Sequence, residues 1–431
     1  MQSVNVAHGS LADTWRQDPC SALYELSRRL PGESIQLDFG LDEVIVIQDT
    51  ESAQQVLGAP DGRYKKHFAL FEAFFGRSRL TTDGAEWQRL QRLSQPFIAR
   101  SPVDKIVQAT VNAYGEAVVG LQAMAPFGPV RIDQALDTAA AKVVSERVLG
   151  FPLSSLGPSA LEDFRILLKL AMRNTWNIGI LNRQVDPDEI ATAQGARDRL
   201  AEATRKLIAA RVSEGSAETS LLHAIALADP PIDVLGEICT LVFAGFDTTS
   251  TAIGWCLFLL ASHPELQERL RRDVRSVQVP VGWTADGLDR LSTLTAFINE
   301  ALRIFPPVPI LSRVATAPDT LAGTSIQPGQ KVLVSIIGLH HDHTRYDRPQ
   351  RIDLDRQSHA MTDRQPGFFP FGVGRRHCGG ARFATLEMAA ALATMLSRLS
   401  FRLPAQRPLQ FEWTASLRRK GGQHLLVTRA A

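Results

Sequence analysis

The sequence predicts a mostly α protein with minor β structure, folded as a single domain over residues 1–431. Apolar residues recur at helical spacing through most of the stretch from Asp83 to about Arg272. Extended signals gather only near 33–49, 313–337 and 411–429. No repeat, low-complexity linker or shift of composition separates one part of the chain from another.

SIQLDFG and DEVIVIQD, from about Ser34 to Asp49, read as two strands joined by a tight glycine-containing turn. Helices are predicted in GAEWQRLQRLSQPFI, AKVVSERVLG, LEDFRILLKLAMRN and ARDRLAEATRKLIAARVSEG. A long, nearly uncharged helix spans Ile238 to Ala261. HPELQERLRRDV begins a new helix after it, with Pro264 in the first turn, where a missing N–H costs nothing. LSTLTAFINEALRIF is a helix that Pro306 and Pro307 end. Extended runs return on either side of a turn at Gln327–Gln330. ARFATLEMAAALATMLSRL is a strong helix, and ASLRRKGGQHLLV reads as a hairpin around Gly421 and Gly422.

Charge narrows the function classes. Lys and Arg number 47 against 45 Asp and Glu, a formal net charge of +2, which gives no footprint for nucleic acid. The apolar run Ile238–Ala261 has the length of a membrane span, but Asp247 and a cluster of Thr and Ser lie at its centre, and a charge there is costly in lipid. A helix buried in a protein core is expected instead, with no membrane span. The amino terminus lacks a basic cluster followed by an apolar core, so no secretory signal is expected. Cys20, Cys239, Cys256 and Cys378 form no CxxC pairs, which argues against a disulfide framework and for a reducing, cytoplasmic setting.

Four constellations could carry chemistry. FPFGVGRRHCGG, Phe369 to Gly380, places Cys378 just ahead of a helix and after Arg375 and Arg376. A helix amino terminus and nearby cations lower a thiol pKa; a buried structural thiol in a Gly-rich turn is the alternative. In Ala244–Thr249, Gly, Asp and Thr crowd the middle of the apolar helix. Gly costs roughly 1 kcal/mol relative to Ala there, and Asp and Thr compete for the backbone. The cluster predicts either a local opening of the hydrogen-bond ladder at a functional site or a helix crossing with satisfied polar groups. Glu300 and Arg303 share a helix face and can pair. His340-His341-Asp342-His343 could be drawn as a metal site, but it lacks a second ligand group at metal spacing and reads as a polar loop.

Taken in order, these motifs resemble the cytochrome P450 family. Phe371, Gly374, Arg376, Cys378 and Gly380 match its haem-binding signature, Ala244 to Thr249 its oxygen-binding helix, and Glu300 with Arg303 its Glu-x-x-Arg helix. Arg356 sits where the family places a third member of that salt-bridge network. The resemblance implies haem b (iron protoporphyrin IX) with Cys378 as axial thiolate, donating electron density that favours O–O cleavage. Phe371 and Gly372 would lie beside it, with amides near Gly380 directed at the sulfur. Arg376, Arg313 and Trp87 would hold the propionates, while Ala244 and Gly245 leave room for O2. Asp247 would link to bulk solvent and Thr248 would hold an ordered water, as a proton relay. Where the family often has Arg or His four residues after the aromatic, this chain has Gln91.

The implied activity is insertion of one oxygen atom from O2 into a hydrophobic small molecule of secondary-metabolite, terpenoid, polyketide or fatty-acid type. NAD(P)H would supply electrons indirectly, through a separate ferredoxin or flavodoxin with its reductase, since the chain has no room for a fused electron-transfer module. A soluble, bacterial-type enzyme is expected. A peroxide-dependent peroxygenase on the same fold, and a non-catalytic haem-binding protein, are the alternatives. Expected pocket walls are Arg63–Leu80, Leu161–Ala191, Leu241–Thr248, Val308–Leu311 and the Arg419–Gln423 hairpin, with Phe68, Phe71, Phe74 and Phe75 as candidate lining.

Overall fold

A computed structural model describes residues 1–5, 13–15, 18–30, 32–39, 43–60, 62–179, 186–213, 220–277, 283–358, 367–404, 409–413 and 415–430. The turn at Gly40 between the first predicted strands lies outside them, as do residues 180–185 of the predicted wall.

The helices that position the site are α1 (Pro19–Arg29), α2 (Thr50–Gly58), α3 (Ala69–Phe75), α4 (Gly84–Ala99), α5 (Val103–Met124), α6 (Asp133–Val144), α7 (Ala160–Gly179), α8 (Pro187–Ser213), α9 (Val234–Ser262), α10 (Pro264–Ser276), α11 (Ser292–Ile304) and α12 (Ala381–Leu396). Local chemistry sets their ends. Asp49 caps α2 by accepting from Ser52 N, and Asp233 caps α9 by accepting from Gly236 N. Pro264 opens α10 as expected, and α11 stops at Ile304, ahead of the two prolines.

The predicted β portions are present, with additions. Strands β1 (Gln2–Asn5), β2 (Ile35–Asp38), β3 (Glu43–Ile47), β4 (Tyr64–Lys66), β6 (Ile310–Ala315) and β9 (Lys331–Ser335) form one sheet in the order β1-β2-β3-β9-β6-β4. β5 (Val130–Arg131), β10 (Leu399–Arg402) and β13 (His424–Arg429) form a second, ordered β10-β13-β5. β7 (Asp319–Leu321) pairs with β8 (Thr324–Ile326), and β11 (Phe411–Trp413) with β12 (Leu417–Arg419).

The expected tail hairpin is corrected here. The chain does turn at Gly421–Gly422, but β12 pairs back with β11 while β13 joins β10 and β5. The turn is local, whereas the strand partners are distant in sequence.

α9 is the central helix. Most of its residues are buried, and among the described residues it is the one helix long and apolar enough to cross a membrane. It packs on α6, where Gly245 permits close approach: a Cβ there would stand 2.4 Å from Val144 Cγ2. The helix stays continuous through Ala244–Thr249, so of the two readings the helix crossing fits and the opening of the ladder does not. Thr248 Oγ1 donates instead to the Ala244 carbonyl at 2.8 Å.

Candidate active site

The cysteine loop crosses under a cavity of about 400 Å³ whose opposite wall is α9. Cys378 N donates to the Phe371 carbonyl at 2.9 Å, closing the loop on itself, and Gly372 and Gly374 turn it at positive φ. The thiol surface is exposed, but onto the cavity, deep inside dense protein. Burial pushes the Cys378 thiol up, opposed by a hydrogen bond from the Gly380 amide and by the Arg79 guanidinium.

The loop is tied to the Glu-x-x-Arg pair. Both side chains are fully buried, with Arg303 Nε donating to Glu300 Oε1 at 2.7 Å and Nη2 to Oε2 at 2.9 Å. Arg303 also donates to the carbonyls of His340 (3.0 Å), Pro349 (2.7 Å) and Arg351 (3.1 Å). Arg356 also reaches Glu300, at 3.5 Å. His340, from the HHDH cluster, accepts the Phe369 N–H on Nε2 at 2.9 Å and stacks on Phe368. The imidazole is therefore a neutral anchor for the start of the loop, and burial, with Arg303 and His341 nearby, pushes its pKa well down.

At the cavity rim, Arg376 stacks on the Trp87 ring at 3.6 Å and pairs with Asp83 at 2.9 Å. Lys66 and Arg313 are cross-strand neighbours in β4 and β6. Lys66 Nζ donates to the carbonyls of Arg79, Leu80 and Thr82 at 2.6, 3.0 and 2.9 Å, and Arg313 Nη1 to the Ser312 carbonyl at 2.8 Å. Among the described residues neither cation has an ion-pair partner. Burial, then Arg376, drives Lys66 down to about 7 and Arg313 down to about 10. Lys66 and Arg313 share with Arg376 the one carboxylate of Asp83, and this surplus of positive charge beside one thiol in the same cavity fits a ligand that carries two carboxylates and a thiolate-binding metal.

On the α9 side, Ala244, Gly245 and Thr248 line the cavity, but Asp247 does not. Its Oδ1 accepts from Arg418 Nη2 at 2.7 Å, and its buried Oδ2 has no hydrogen-bond partner among the described residues. Arg418 also pairs with Asp137 at 2.9 Å, whose other oxygen takes Arg165 at 2.9 Å. Asp247 and Asp137 outweigh burial and hold the Arg418 pKa up.

The walls differ from expectation in three places. Phe68 and Phe71 line the cavity, whereas Phe74 and Phe75 pack in the core. Met172 alone represents the Leu161–Ala191 stretch among the described residues. The Arg419–Gln423 turn contributes nothing, its place being taken by Trp413 and Ala415. Gln91 does line the cavity. Sequence reasoning missed Lys66, Arg418 and Gln95. Nothing local announced any of the three, since Tyr64-Lys65-Lys66 is too short to carry an alternating pattern.

A thiol-floored cavity with cations at its rim and an Asp–Thr helix opposite defines the class of haem-thiolate proteins. The cytochrome P450 family profile matches residues 6–426, and the chain belongs to that family. It is similar to putative cytochrome P450 132 of Mycobacterium bovis, 28% identical over 384 residues, covering 84% of this chain and 82% of that protein. It is 27% identical over 418 residues to cytochrome P450 4A12B of Mus musculus, covering 88% and 80%. To cytochrome P450 4A2 of Rattus norvegicus it is 37% identical over 206 residues, 46% and 40% of the two chains. The protein is thus a cytochrome P450 monooxygenase that uses haem and O2, acts on a hydrophobic substrate and draws electrons from a redox partner.

Proposed function

We propose that the chain is one catalytic domain over residues 1–431 that hydroxylates an apolar secondary metabolite, with Cys378 as the haem ligand and electrons from a separate ferredoxin or flavodoxin. The observation that carries this is the Cys378 thiol opening onto the same cavity as Thr248, Lys66 and Arg313. A core cluster reaching from Trp15 to Val427 supports the single domain. The two buried free thiols, Cys239 and Cys256, support a reducing cytoplasmic setting.

Bound haem supplies the oxidising chemistry; the protein holds it, keeps water out and moves protons. Lys66, Arg313, Arg376 and the Trp87 indole would bind its carboxylates. Haem uptake by the haem-free chain is expected to take up a proton between about pH 7 and 10. Lys66, depressed to about 7 by burial, becomes charged once a carboxylate faces it. The bound form holds the extra proton, so affinity falls as pH rises through that window. Calorimetric titration in buffers of different ionisation enthalpy measures the uptake, and a Lys66→Met variant should lose it.

Phe68, Phe71 and Phe243 shape an apolar chamber above the cysteine loop, which favours hydrophobic substrates. Thr248 holds its hydroxyl on the Ala244 carbonyl at the cavity wall, while Asp247, by turning off Arg418, would carry protons in from bulk solvent. Asp247→Asn is expected to slow O2-dependent turnover by about 10²-fold or more, the usual worth of a positioned proton donor, with a larger solvent isotope effect. Peroxide-driven turnover should change little. The reading is tested by comparing NAD(P)H with reductase and ferredoxin against peroxide alone; efficient peroxide turnover without NAD(P)H-driven activity would overturn it. Arg375 and His377, on the thiolate-side loop, suit an acidic donor protein.

A further inference from the structure

Gln95 lies on α4, which passes beside the cysteine loop, and its Nε2 donates to the Gly379 carbonyl at 2.9 Å. The approach is close. A Cβ on residue 379 would stand 2.1 Å from Gln95 Oε1, so only glycine lets the amide lie against the loop at this point. The Gly379 carbonyl and the Gly380 N–H belong to one peptide unit, and that N–H lies near enough to the Cys378 thiol to draw its pKa down against burial. A Cβ on Gly380 would itself stand only 3.9 Å from the Cys378 sulfur. Donation to an amide oxygen draws electron density from its nitrogen and makes the N–H a stronger donor, by about 10–30% per bond in hydrogen-bonded chains.

We propose that Gln95 is a positioning residue that sets the electron donation of the Cys378 sulfur through the Gly379–Gly380 peptide, and with it the potential at which bound haem accepts an electron. The inference rests on Cys378 being the iron ligand. A sulfur that shares its charge with an N–H gives less to iron, and the ferric state is stabilised less. Without the Gln95 donor the Gly380 N–H weakens and the sulfur becomes the stronger ligand.

Gln95→Met keeps the side chain's length and removes its donor, and Gln95→Leu serves as a second variant. In the haem-loaded full chain, the ferrous–CO spectrum reports thiolate ligation, and spectroelectrochemical titration gives the ferric/ferrous midpoint. The thiolate spectrum is expected to persist while the ferric-to-ferrous ratio at fixed potential rises about threefold, a negative shift of ~30 mV at ~59 mV per tenfold for one electron. A midpoint that stays or rises with the thiolate spectrum intact overturns the proposal. So does loss of thiolate ligation in both variants with haem still bound, since Gln95 would then hold the loop's shape and not its electronics. Absence of the thiolate spectrum in the unaltered protein would instead overturn the assignment of Cys378, which keeps the two failures distinct.

Discussion

Replacing Cys378 by alanine is expected to abolish monooxygenase activity and the thiolate signature of the ferrous–CO complex together. Neither of the other two thiols described by the structure can substitute. Cys239 and Cys256 are buried within α9, and burial pushes the Cys239 thiol up to about 12 and the Cys256 thiol higher still. The cations at the rim remain in the variant, so some haem should still bind through its carboxylates, and optical spectra would show it without thiolate ligation. Retention of the thiolate spectrum in Cys378→Ala would remove the basis of the proposed site.

Arg303→Met is expected to be the most destabilising single change considered, by about 3–5 kcal/mol, the cost of leaving a buried ion without its partner. Glu300 has no exposure to water, and its Oε2 would lose the guanidinium while keeping the Asp353 N–H at 3.0 Å and the more distant Arg356. Three carbonyls would lose a donor at the same time. Since total stabilities of single domains run about 5–15 kcal/mol, a large part of the margin would go. Denaturant titration measures this. Haem release should accelerate as well, because the same guanidinium fixes the segment through which His340 holds Phe369. An unchanged unfolding midpoint would contradict this account of the buried pair.

Local sequence carried the motifs well because their chemistry is local. The cysteine loop, the Asp–Thr helix and the Glu-x-x-Arg pair each occupy a few consecutive residues, and the structure gathers all three around one cavity or its support. What sequence could not show depends on long-range register. Lys66 meets Arg313 only because β4 pairs antiparallel with β6. Arg418 meets Asp247 because the β11–β12 pair returns to α9. Both contacts join residues well over a hundred positions apart, where periodicity carries no information. The strand after Gly422 failed for the same reason: a turn signal names the bend, not the neighbour.

Gly245 has two neighbours: it lines the cavity, and the Cβ it lacks would face Val144 on the neighbouring helix. Val144 borders the cavity too, so one valine meets the glycine and the chamber at once. For anyone wishing to enlarge or reshape this chamber, the adjustable position is therefore 144. Residue 245 cannot grow without driving two helices apart, whereas trimming the valine frees volume while the central helix stays where it is.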